Sequence, residues 1–150
     1  MLDKLKLFID KMLNESEMLT DLSNDIQLAA ALLLVEVMNV DDKIDEREKH
    51  AVQTGLKDFF EMSDEKVREV FEIAKNRAKD MIPLQQYTSI LNKALEPEAK
   101  LKLLEQIWRV VFSDEELDKY EESLVRQIAE LLYIRHSDFI LARQRAKGEI

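Results

Sequence analysis

Two Gly and two Pro are the only strong helix breakers in 150 residues. A chain with so few breakers has few places to turn sharply, which favours long helices joined by short polar links. The apolar residues agree. Val67, Val70, Phe71, Ala74, Ala78 and Met81 recur at steps of three and four, as one buried helix face requires. Leu84, Tyr87, Leu91 and Ala94 repeat the pattern, and so do Leu124, Val125, Ile128, Leu131 and Leu132. No stretch alternates with period two for long enough to be a strand. The expected fold is all-α, a single-domain bundle of about seven to eight helices.

Start and stop signals place the helices. Leu2–Asn14 reads as an amphipathic helix, with Leu2, Leu5, Phe8, Ile9, Met12 and Leu13 on one side. It forms an N-terminal segment, 1–22, ahead of a helical domain over 23–150. It either closes the bundle or serves as a partner or dimer helix. Ser23–Val40 is apolar nearly all round at Leu28–Val35 and belongs in the centre of the core. Asp45–Phe60 follows. Ser63–Asp80 comes next, opened by Ser63 as N-cap and closed by Pro83. Leu84–Leu95, a helix from Pro97 to Phe112, Asp118–Tyr133 and Ser137–Lys147 complete the set, with Gly148 as a stop.

Composition excludes several chemistries. The 22 basic and 31 acidic residues leave a formal charge of −9, which repels phosphate and disfavours nucleic acid and anionic membranes as partners. The absence of Cys removes disulfides, thiolate nucleophiles and iron–sulfur ligation. His50 and His136 lack the E-x-x-H pattern of a di-iron bundle and read as solvated, His136 in a link. The longest apolar run has eight residues, too short for a bilayer span of about 20. The opening residues lack an apolar signal region, so the expected location is cytoplasmic.

The most informative motif is a repeated octet. Residues 41–48 (Asp-Asp-Lys-Ile-Asp-Glu-Arg-Glu) and 114–121 (Asp-Glu-Glu-Leu-Asp-Lys-Tyr-Glu) both read D-x-x-[IL]-D-x-x-E, 73 residues apart. The flanks keep the same offset: Val35, Val37 and Met38 pair with Trp108, Val110 and Val111, and Val52, Phe59 and Phe60 with Val125, Leu132 and Tyr133. The chain therefore reads as a duplicated helix–acidic corner–helix unit. Two readings of the acids stand side by side. Asp45 and Asp118 can be N-caps, with Glu48 and Glu121 completing capping boxes three residues later. That leaves Asp41 and Asp114, a turn upstream, unexplained. The second reading supplies a cation: Asp, Asp and Glu at positions one, five and eight offer three carboxylates to a hard ion such as Ca²⁺ or Mg²⁺. Neither octet has the glycine of an EF-hand loop.

These features resemble the TerB-like family, helical proteins named for tellurite resistance. The resemblance runs from about Leu28 to Arg145. It is carried by Ala30-Ala31-Leu32-Leu33-Leu34-Val35-Glu36-Val37 before the first octet, by Tyr87-Thr88-x-Ile90-Leu91-Asn92, by Leu103-Leu104-Glu105-x-Ile107-Trp108 before the second octet, and by Ser137-Asp138-Phe139-Ile140. It implies an all-α fold of two pseudo-repeated halves and a bacterial stress-response module. It also implies a divalent cation held by Asp41, Asp45, Glu48, Asp114, Asp118 and Glu121, with Glu36 as a further ligand. Asp42 and Glu115 replace the family's glycine, so each corner either turns differently or gains a ligand. Arg109 stands where a second Glu would echo Glu36.

The expected function is non-enzymatic: a module that binds a divalent cation at its acidic corners and acts through protein partners, with room for a homodimer. A metal-free scaffold whose corners only cap helices and present a docking face is the alternative. A carboxylate-based hydrolase is the remote one. Tellurite is reduced by soft sulfur nucleophiles, and a chain with no Cys is not expected to detoxify it directly.

Overall fold

The computed structural model describes residues 25–40, 45–114 and 119–148. The amphipathic helix expected at 2–14, Asp41 and Asp118 lie outside them. Among the described residues the secondary structure is helical, with no strand. Helix α1 covers 25–38. It is followed by α2 (Glu46–Phe60), α3 (Asp64–Arg77) with a 3-10 turn at Ala78–Asp80, α4 (Leu84–Ala94), α5 (Pro97–Phe112), α6 (Lys119–Leu131) and α7 (His136–Ala146). These bounds lie within two residues of those read from sequence, except that the last three residues expected in α3 tighten into the 3-10 turn. The expected all-α bundle is the fold of the described residues.

Helix α1 forms the centre. Residues 29 to 35 are each no more than 1% exposed, as an all-round apolar helix demands. Helix α5 is the second buried element and packs against α2, α6 and α7. Trp108 lies at the α5–α7 contact, stacked on Phe112 at 5.4 Å and edge-on to Phe139 at 5.3 Å. The Arg143 guanidinium lies 5.6 Å from the indole, so the basic last turn of α7 covers aromatic surface as well as complementing the helix dipole. His136 is the first residue of α7 and not part of a link; it stacks on Phe139, with ring centroids 6.0 Å apart. Helix α4 is tied to the end of α6 by Asn92, whose side-chain amide donates to the Leu131 carbonyl at 2.9 Å.

The duplication shows in the burial pattern. Val35 and Trp108, Val37 and Val110, Met38 and Val111, and Val52 and Val125 are all core pairs. The correspondence fails at Phe60 and Tyr133, because Phe60 is half-buried and Tyr133 is 81% exposed. The two halves therefore share their corners and diverge at their far ends.

Among the described residues, three helical segments end in a left-handed residue that is not glycine. Glu61, Met81 and Tyr133 have φ of 55°, 54° and 57°, a left-handed conformation that costs an L-residue roughly 1–2 kcal/mol. Each is followed by an apolar residue packed on the core: Met62, Ile82 and Ile134. After α6 the Ile134 amide donates to the Ala129 carbonyl at 3.0 Å and the Tyr133 amide to the Glu130 carbonyl at 3.1 Å, a Schellman turn. Burial of the following side chain offsets the strained residue, and this is how a chain so short of glycine stops these helices. Tyr133→Gly should therefore raise the thermal midpoint by a few degrees, and Ile134→Ser should lower it, both read by circular dichroism.

Candidate metal centre

The two acidic corners meet. Side-chain oxygens of Glu48, Asp114 and Glu121 all lie within 4.8 Å of one another. Glu48 is 0% and Glu121 1% exposed, and Asp114 is half-buried. Glu48 is the third residue of α2 and Glu121 the third of α6, while Asp114 follows the end of α5. Both glutamates therefore occupy the capping-box position, where the positive ends of two helix dipoles favour a carboxylate. Apolar neighbours on the same helices, Val52 and Val125, are fully buried and fix the rotation that turns the glutamates inward. The packing of α5 on α2 brings the halves together. Gly55 is buried at that contact and faces the Gln106 side chain, which a Cβ there would meet at 3.4 Å.

The remaining sequence candidates lie elsewhere or outside the described residues. Asp45 is the N-cap of α2: its Oδ1 accepts from the Arg47 backbone amide at 2.8 Å, and its Oδ2 accepts from the Arg47 guanidinium at 3.0 Å. Those bonds hold its carboxyl below the ordinary value of 3.8. Both oxygens are thus engaged with Arg47, and Asp45 is not part of the cluster. Glu36 is half-buried, and loss of hydration raises its pKa above the ordinary 4.5. Its charge acts on Tyr87, whose hydroxyl is pushed up first by burial and then by Glu36. Glu36 therefore belongs with Tyr87 on α4 and not with the three clustered acids. Arg109 is exposed and pairs with Glu105 at 2.8 Å. In the second corner Tyr120 stands where Arg47 stands in the first.

The donor set suits a hard cation. Two oxygens that share one Ca²⁺ at about 2.4 Å can be no more than about 4.8 Å apart, and carboxylates are the preferred ligands. Spacing along the sequence could not rank the acids of each octet. Burial separates them.

Two outcomes follow from these environments. Glu36→Gln should raise stability at neutral pH, because the wild-type carboxylate is ionised there in a poorly hydrated place. The gain should fade below pH 4.5, where Glu36 is protonated in both folded and unfolded chains and the penalty is gone; melts of both proteins across pH 3–8 check this. Asp45→Ala should lower the midpoint while Asp45→Asn restores most of it, since Asn caps as well as Asp.

A family model described as tellurite resistance protein TerB matches residues 27–144. No curated protein and no solved structure matches the sequence. No described helix is long and apolar enough to cross a membrane. The match takes in both octets and every described helix except the first residues of α1 and the last of α7, and the chain belongs to the TerB family.

Proposed function

We propose that this TerB-family chain is a non-enzymatic cytoplasmic module that binds a divalent cation, Ca²⁺ or Mg²⁺, where its two acidic corners meet, and signals that state to protein partners. The observation that carries the reading is the convergence of three carboxylates from α2, α6 and the end of α5, two of them fully buried. Carboxylates this close repel one another when ionised, and a doubly charged ion held among them would offset that repulsion.

Glu48, Asp114 and Glu121 would hold the ion. Asp41 is the counterpart of Asp114 in the first octet and is proposed as a fourth ligand. Asp118 joins it, with Tyr120 in place of the arginine that occupies Asp45. A cation there would bind the starts of α2 and α6 to the end of α5, so its loss would loosen the junction of the two halves. That change is one a partner protein can sense. The metal-free scaffold reading draws support from Asp45, whose cap and ion pair account for it fully.

Melts in EDTA and then in Ca²⁺ or Mg²⁺ separate the readings. An ion at 100 times its dissociation constant should add roughly 2.7 kcal/mol, several degrees at this chain length. Glu48→Gln keeps a capping box and should abolish that shift while holding or raising the midpoint in EDTA, because one repelling charge is gone. Equal wild-type midpoints in EDTA and in every ion would leave the scaffold.

A further inference from the structure

A groove lies at the opposite end of α2 from Glu48. It has a volume of about 770 Å³ and opens between the last turn of α2 and the first turn of α5. Its floor is apolar: Phe59, Phe60, Leu95 and Ala99, all half-buried. The two phenyl rings meet edge to face at 4.7 Å. Its rim is acidic on both sides, with Asp58 and Glu61 at the end of α2 and Glu96 and Glu98 at the start of α5, all exposed. Among the described residues Lys102 is the one cation lining it, and the neighbouring Glu105 is taken up by Arg109. The groove adjoins the place where α2 and α5 meet at Gly55 and Gln106, and Gln106 lines one end of it.

The acidity is local and is not simply the net charge seen everywhere. Across the first turn of α5 lies a cavity of about 430 Å³ lined by two cations, Lys100 and Arg135, one acid, Asp138, and the exposed ring of Tyr133. An apolar strip with acids along both edges is the complement of a helix whose apolar stripe is flanked by Lys or Arg. Acidic peptides, nucleic acid and anionic lipid are repelled by the same rim. We propose that this groove docks a basic amphipathic helix of a partner protein. Bulky apolar side chains of that helix seat on the Phe59–Phe60 pair, and its basic residues meet Asp58 and Glu61 on one edge and Glu96 and Glu98 on the other. The proposal concerns where a partner binds and does not depend on the cation.

The test uses the full chain and a fluorescein-labelled 14-residue Leu/Lys peptide with a helical apolar stripe, followed by anisotropy at physiological salt. The Lys peptide should bind saturably, and the same peptide with Glu for Lys should not. D58K with E61K should weaken binding at least tenfold. E69K with E72K, an equal charge change on exposed residues of α3 outside the groove, should leave it within about twofold. Ala99→Trp fills the floor without altering charge and should also weaken binding at least tenfold; circular dichroism establishes that each variant is folded. Equal losses from the two charge-reversed pairs, binding of the Glu peptide, or full binding by Ala99→Trp would each overturn the proposal. Sedimentation velocity showing self-association that the groove variants abolish, without peptide binding, would assign the groove to a second copy and overturn it as well.

Discussion

The packing of α5 against α2 is the contact on which the rest of the structure depends. Helix α5 also touches α6 and α7, so its contact with α2 joins the first half of the duplication to the second. Trp108, Leu103, Leu104 and Ile107 are fully buried on α5, and burying large apolar side chains is worth about 1.5–3 kcal/mol each. That sum is large enough to hold polar groups where they would not settle alone. Glu48 and Glu121 are buried beside Asp114 because the apolar faces of α2 and α6 leave them no other direction.

The same contact underlies both surfaces proposed for function. At one end of α2 its first turn brings a glutamate to the junction of the two acidic corners. At the other end, beyond Gly55, Phe59 and Phe60 lie half-buried in the groove that α2 and α5 line. A single helix thus carries a buried acidic centre at its start and an apolar groove at its end. A change in how α2 sits on α5 would be felt at both, which gives the proposed cation and the proposed partner a shared physical element.

Duplication accounts for the likeness of the corners and for their differences. Positions facing the core keep the same burial in both halves, because the packing constraint is the same. Surface positions are free to drift, so Arg47 is matched by Tyr120, Glu36 by Arg109 and Phe60 by Tyr133. One half therefore carries an arginine-held cap at Asp45, and the drift leaves an acidic groove on one side of the α5 start and a basic cavity on the other.

The sequence by itself determined the helices, the order of the core and the two octets. Helical periodicity, the scarcity of breakers and the fixed 73-residue offset are local or repetitive signals that no tertiary contact needs to supply. Those signals placed the helix ends near Glu61, Met81 and Tyr133 but not the left-handed backbone there, which goes with core packing of the residue that follows. Only the tertiary structure decided which acids act together. Asp45 and Glu48 lie three residues apart in one octet, yet the first faces Arg47 at the surface and the second is buried against the other half of the molecule. A helix start presents neighbouring side chains in different directions, and what lies beside Glu48 is set by chain 66 or more residues away in the sequence.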